Sequence, residues 1–235
     1  MILAARNATK LRAMQQQIKA ESGVQVETVV VDFSDSDLSS VTKVALEKGS
    51  NLTVLVNNVG ASHDHPEYFV ETTNETIDTI LTINVVNTVK LTRAVLPCMV
   101  EAKKGLVLNI GSFSGEVPVP LLQTYGASKA FLKHWSLSLA AELDPLGIKV
   151  QLLNTYFVVS NMSKRKRASF AIPTAKAYVE AAMRCAGSHA FDTPYSIHAL
   201  LQFVMDLIPS RLLTMINLSL MRAVRQAALQ KAKRA

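Results

Sequence analysis

The chain has 235 residues, of which 49% are apolar and 18% charged, with a formal net charge of +7. That length can bury a substantial core and suits one α/β domain. Its two cysteines, Cys98 and Cys185, each sit inside an apolar helical pattern; they exclude a disulfide scaffold and a thiolate metal centre and fit a reduced, cytosol-facing protein.

The predicted elements alternate between short β-type runs and longer helical ones. The opening MILAARN is too short for the apolar core of a signal peptide; its ILAA reads as a strand, and Thr9 is placed to cap the helix carrying Leu11, Met14 and Ile18. VQVETVVVDF is a strand, Ser36 to Lys48 a helix, and LTVLVNN an unbroken apolar strand of the kind expected when both sheet faces are covered. The cluster His63, Asp64, His65 and Glu67 flanks Pro66 at irregular spacing and reads as a solvated loop, so no metal is expected. One long helix is expected from about Glu75 to Ala102, then the strand GLVLNIGS, a helix from Gln123 to Leu143 closed by DPLG, and the strand IKVQLLNTYF. This alternation predicts a parallel sheet with helices on both faces. The polar clusters Arg6-Asn7, Asp32-Phe33, Asn57 to Gly60, Gly111-Ser112 and Asn154 to Phe157 all fall at strand ends, where such sheets bind ligands.

The segment SFSGEVPVPLLQTYGASKA sets Ser112 thirteen residues before Tyr125, with Lys129 four after it. Helical periodicity turns Tyr125 and Lys129 to one side. A phenol is a poor acid-base group at neutral pH, but a nearby ammonium and a helix N-terminus are expected to lower its pKa. A hydroxyl at Ser112 could hold a carbonyl oxygen, which suits proton donation to an alkoxide formed by hydride arrival.

With these residues the chain resembles the short-chain dehydrogenases/reductases over residues 1 to about 190. The resemblance implies a Rossmann-like, doubly wound parallel α/β sheet. Ser112, Tyr125 and Lys129 would be catalytic, with Asn84 in LTINVV completing the set by positioning a water. NNVG, residues 57 to 60, is similar to the family's Asn-Asn-Ala-Gly, and Asp32 stands where an acidic residue contacts adenine. Cofactor contacts are thereby implied at Asp32, Asn58, Gly60, Asn84, Tyr125, Lys129, Val158 and Ser160. At the end of the family's second strand this chain has Ala5-Arg6 rather than a carboxylate; a guanidinium there favours the 2′-phosphate of NADP(H). The segment NTYFVVSNMSK, where most members carry Pro-Gly, is similar to that of the very-long-chain 3-oxoacyl-CoA reductases, close kin of the 17β-hydroxysteroid dehydrogenases.

The family's first strand and the Thr-Gly-x-x-x-Gly-x-Gly turn after it have no counterpart in this sequence. The sheet is therefore expected to lack its central strand, and NADP binding to be weak. Two readings follow: a shortened form of a working reductase, which the intact Ser112, Tyr125, Lys129 and Asn84 favour, or a non-catalytic membrane-bound partner.

Residues 191–235 are expected to form amphipathic helices, either lying in a membrane interface or capping the core as a lid; Asp206, Pro209 and Arg211 interrupt any spanning stretch. Basic residues crowd Lys164 to Arg167 and the C-terminus, where Lys231 and Lys233 make a K-x-K-x-x tail similar to the dilysine signal of endoplasmic reticulum membrane proteins. These runs are either solvated surface or attract phosphate, on lipid or on coenzyme A; no aromatic residues interleave with them, which speaks against nucleic acid. The resemblance further implies a long-chain acyl-CoA substrate, the other enzymes of fatty-acid elongation as partners, the cytosolic face of the endoplasmic reticulum membrane, and a homodimer through two long helices.

Overall fold

A computed structural model describes residues 1–233; Arg234 and Ala235, the last two positions of the basic tail, lie outside the described residues. The chain runs β1 (Ile2–Ala5), α1 (Ala8–Ser22), β2 (Glu27–Val30), α2 (Ser39–Leu46), β3 (Val54–Asn57), α3 (Asn74–Leu81), α4 (Asn87–Ala102), β4 (Gly105–Ile110), α5 (Gln123–Leu143), β5 (Ile148–Leu153), α6 (Ala175–Arg184), β6 (Phe191–Asp192), α7 (Ser196–Asp206) and α8 (Ser210–Ala232). α5 has the bounds read from the sequence. α1 begins two residues earlier than Thr9 suggests, because the side chain of Asn7 accepts the Lys10 N–H at 2.9 Å and so caps it. The expected long helix is interrupted by a five-residue π turn, Thr82–Val86, between α3 and α4. β6, only Phe191–Asp192, carries no periodic signal of its own; it pairs with Leu152 and Leu153 of β5.

All strand pairs are parallel, but they make two sheets, β1-β2 and β3-β4-β5-β6. This is the α/β fold expected, with the sheet open where its central strand would lie. The two pieces share one core: Val29, Val31, Leu38, Val41, Ala45, Leu91 and Val95 are buried, with Ile2 and Ala4 of β1 and Leu55 of β3 packed against them. A second core, Met99, Val107, Ala140, Leu143, Ile148 and Val150, joins α4, β4, α5 and β5. The expectation that both faces of β3 are covered fails: Val54 and Val56 are 50% and 52% exposed.

α7 and α8 leave Leu200, Phe203, Leu207, Leu212, Met215 and Leu220 exposed. α8 rests on the body through polar contacts. Arg225 reaches the Pro66 carbonyl (3.2 Å) and the Glu71 carboxylate (2.9 Å), and Asn217 donates to the Pro118 carbonyl (3.2 Å). Among the described residues, no helix is long and apolar enough to cross a membrane.

A buried polar chain crosses the larger sheet. Asn57 donates to Thr92 Oγ1 (2.9 Å) and to Asn109 Oδ1 (2.8 Å), and Asn109 donates to Ser136 Oγ (2.8 Å). α4, β3, β4 and α5 are thereby locked in one register. Removing the middle member strands its partners in a dry interior. Asn109→Ala is expected to lower stability by about 1–3 kcal/mol, read from the midpoint of urea unfolding at unchanged slope.

Candidate active site

The end of β4 leads into Gly111 and Ser112 and then a 3-10 turn, Phe113–Gly115. Ser112 Oγ accepts from the Ser114 N–H (3.2 Å) and from Ser114 Oγ (2.8 Å). The turn lies directly on α5: a Cβ on Gly115 would come within 2.7 Å of the Lys129 carbonyl carbon. Only glycine permits this approach, and it sets the serine hydroxyls against the start of α5.

Tyr125, Ser128 and Lys129 occupy one side of that start. Lys129 is buried at 7% exposure, donates from Nζ to the Ile110 carbonyl at 2.8 Å, and lies 6.0 Å from the centroid of the Tyr125 ring. Burial pulls its ammonium down to about 8. Burial also raises the Tyr125 phenol above its ordinary value, while hydrogen bonding with the hydroxyls of Ser112 and Ser114 pulls the other way. The expectation of a lowered phenol pKa is therefore corrected. Desolvation outweighs the favourable partners, and the Nζ hydrogen bond goes to the Ile110 carbonyl.

Asn84 stands in the π turn, which shifts the helical register and swings its side chain inward. The Asn84 amide donates to the Ala61 carbonyl and to Ser128 Oγ, both at 2.9 Å, and accepts from the Ala61 N–H at 2.8 Å. Ser128 in turn donates to the Tyr125 carbonyl (2.7 Å). A Cβ on Gly60 would lie 3.5 Å from Asn84 Oδ1, 3.6 Å from Met162 Cε and 3.8 Å from Lys129 Nζ. Gly60, Asn84, Ser128, Lys129 and Met162 are thus one cluster beside Ser112 and Tyr125.

The other expected cofactor contacts fall in two places. Val158 and Ser160 belong to a turn in which Ser163 Oγ donates to the Val158 carbonyl (2.6 Å) and Ser160 bridges to Arg165. Lys164 Nζ of this turn pairs with Asp64 at 3.0 Å, which brings Met162 over Gly60. Asn58 is exposed at the end of β3. Arg6 and Asp32 sit at the ends of β1 and β2, on the smaller sheet. The Asp32 carboxyl is held below its usual range by the N–H and hydroxyl of Ser34, with a lesser contribution from the Arg6 guanidinium. Asn87 fixes that loop by donating to the carbonyls of Phe33 (2.9 Å) and Asp35 (2.6 Å). Ser114, Ser128 and Met162 were not foreseen. Ser128 had a signal, since it lies three residues after Tyr125 on a predicted helix; Met162 had none.

On the outer side, His198 of α7 is fully buried against the rings of Phe113, Tyr156, Tyr178 and Tyr195. Its Nε2 meets the Ala171 carbonyl (3.1 Å) and its Nδ1 faces the Tyr156 N–H (3.4 Å). It ties α7 to the segment following β5.

A hydroxyl, a half-buried phenol and a buried amine at one strand end, under a glycine that leaves room above them, suit a nicotinamide ribose and a carbonyl substrate. The pyrophosphate of a dinucleotide finds no glycine-rich turn among the described residues. Residues 1–170 match the family model for short chain dehydrogenase. The chain belongs to the short-chain dehydrogenase family. It is 38% identical to very-long-chain 3-oxoacyl-CoA reductase of Aspergillus fumigatus, over 100% of this chain and 71% of that protein. To the protein of the same name from Laccaria bicolor it is 43% identical, over 88% of this chain and 64% of that protein. Among solved structures, a short-chain dehydrogenase from Sphingobium yanoikuyae in complex with NADPH is 25% identical with a TM-score of 0.72, covering 88% of this chain and 86% of that one. A metagenomic short-chain oxidoreductase in complex with NADP is 32% identical with a TM-score of 0.59, over 65% and 69% of the two chains. The site is that of an oxidoreductase.

Burying Lys129 costs stability while its unfolded counterpart stays charged. Its folded value of about 8 lies below the ordinary 10.5, so the unfolded chain binds the extra proton and stability rises between about pH 8 and 10. Lys129→Met is expected to stabilise the fold at pH 7 by about 1–3 kcal/mol and to flatten that rise, measured by urea unfolding across the pH series.

Proposed function

We propose that this chain is an NADPH-dependent reductase that converts very-long-chain 3-oxoacyl-CoA to 3-hydroxyacyl-CoA in fatty-acid elongation. The supporting observation is the cluster of Ser112, Tyr125, Lys129 and Asn84 at one strand end, in a chain similar along its length to proteins bearing that name. NADPH, when bound, supplies the hydride. Lys129 and Gly60 would hold the nicotinamide end, and Arg6 the 2′-phosphate. Ser112 Oγ orients the ketone oxygen. The Tyr125 phenol, protonated at neutral pH and made a weaker acid still by burial, donates its proton to that oxygen as charge develops there. Lys129, charged below about pH 8, steadies the phenolate left behind. Asn84 holds the Gly60–Ala61 backbone and, through Ser128, the first turn of α5.

For the acyl-CoA, Lys166 and Arg167 are exposed in the turn beyond β5 and suit coenzyme A phosphates. The apolar side chains on α7 and α8, with Arg211 and Arg222 among them, suit the cytosolic surface of the endoplasmic reticulum membrane, from which a long acyl chain is delivered. Other elongation enzymes are the partners this role implies, and a second copy could pair through α4 and α5. The divided sheet favours one other reading, a non-catalytic partner that leaves redox chemistry to a complete enzyme.

Two measurements test the proposal. The purified chain, given NADPH and a long-chain 3-oxoacyl-CoA, is expected to consume NADPH, and Tyr125→Phe to slow this by about 10²- to 10⁴-fold; no saturable NADPH binding and no turnover would support the non-catalytic partner instead. Lys166→Gln with Arg167→Gln is expected to raise KM for the acyl-CoA several-fold more than for a small ketone, at similar kcat; equal shifts would remove coenzyme A from that surface.

A further inference from the structure

The turn beyond β5 carries a charge run that the chemistry at Ser112 and Tyr125 does not use. Lys164, Arg165, Lys166 and Arg167 follow one another, and Ala168, Ser169 and Phe170 come next. All seven are exposed, Phe170 at 77%. Two short bridges hold the turn: Ser160 pairs with Arg165, and Ser169 with Ile172. Lys166 to Ala168, between them, lie outside any helix or strand. Ser169 meets Ile172 through two backbone hydrogen bonds, at 2.9 and 3.1 Å.

A protein kinase takes its substrate segment in extended form and selects it by charge pattern. Five hydroxyls in this sequence stand three residues after a Lys or Arg: Thr9, Ser22, Ser136, Ser169 and Thr214. Thr9 and Ser22 lie in α1, Ser136 in α5 and Thr214 in α8, so presenting any of these four means unwinding a helix. Ser136 is fully buried as well. Ser169 lies in the turn, and of the five it alone has a second cation, Arg167, two residues before it. Arg165 adds a third charge one place further out than Lys166, and Phe170 sets an exposed apolar side chain directly after the hydroxyl. An acidic substrate groove with an apolar pocket beside the reacting phosphate complements this order of residues.

We propose that Ser169 is a phosphorylation site for a basic-directed serine/threonine protein kinase, and that the phosphoserine then takes Lys166 and Arg167 away from coenzyme A phosphates. The Ser169 hydroxyl attacks the γ-phosphorus of a nucleoside triphosphate. The Oγ–P bond forms, and the bond from that phosphorus to the β,γ-bridging oxygen breaks. The nucleoside diphosphate leaves with that electron pair, and the hydroxyl proton passes to the kinase's catalytic carboxylate. The product carries about −1.5 to −2 charge at pH 7 and three acceptor oxygens. Tethered to Arg167 by one intervening residue, it acts at an effective concentration of the order of millimolar or more. A dissolved phosphate of the same chemistry competes poorly against it. This second step rests on the coenzyme A reading of the turn; the modification does not.

The test uses the full chain with MgATP and the catalytic subunit of cyclic-AMP-dependent protein kinase; an acid-directed casein kinase is the control. Uptake of about one phosphate per chain is expected, placed at Ser169 by tandem mass spectrometry, and none there with the control kinase. Ser169→Ala is expected to cut uptake, and Lys166→Gln with Arg167→Gln its initial rate, by about tenfold or more; circular dichroism checks that the variants fold. Phosphate placed elsewhere, a rate indifferent to the two cations, or uptake by a peptide of residues 163–172 but not by the folded chain would overturn the site. Titration calorimetry with coenzyme A reads the second step: phosphorylation is expected to raise Kd about tenfold, and the same treatment of Ser169→Ala to leave it unchanged. An equal Kd before and after phosphorylation would overturn that step. No coenzyme A binding by either form would remove coenzyme A from the turn, and the second step with it, while the modification at Ser169 stands on its own result.

Discussion

The burial of one ammonium group at the end of a parallel sheet organises this molecule. Lys129 lies under Gly60, beside a phenol and against the Ile110 carbonyl. A cation there is unfavourable unless every neighbour is held in place. The π turn delivers Asn84 so that its amide clamps Ala61 and Ser128. Gly115 allows the serine turn to lie on the helix backbone. The chain of Asn57, Asn109 and Ser136 fixes the helices that carry both groups. Each is a local departure from regular or apolar packing, and each borders the same few side chains.

Much of this was readable from spacing. α5, with Tyr125 and Lys129 on it, was legible because a long helix with a strong period carries its own register. The strand ends at Arg6, Asp32, Gly60 and Ser112 were legible because the strands are short apolar runs with polar residues at their ends. Other features depend on contacts far apart in sequence. A π turn has the composition of a helix, so Thr82–Val86 read as one. Met162 meets Gly60 across about a hundred residues, through an exposed Lys164–Asp64 pair that no periodicity announces. The phenol's pKa was read with the wrong sign, because the sequence shows which charges neighbour a group and not how much water is withdrawn from it.

The two parts of the sheet divide the work. The larger one holds the serine, tyrosine, lysine and asparagine and is tied by buried side-chain hydrogen bonds. The smaller holds Arg6 and Asp32 and meets the larger through α4, by apolar packing and the Asn87 contacts to the loop after β2. The two parts are therefore coupled through one helix and not through a continuous ladder.

The ring of His198 gives α7 an acid-sensitive fastening. Its Nδ1 accepts from the Tyr156 N–H, so a second proton would set donor against donor inside a box of aromatic rings. Burial lowers its pKa below the ordinary 6.5, although the Ala171 carbonyl and the backbone of Phe157 oppose that shift. The unfolded chain therefore takes up the proton first, and stability drains away as pH falls below about 6.5. Mild acidification would loosen α7 from the segment following β5 while the buried amides around Asn109, which do not titrate, keep the larger sheet intact.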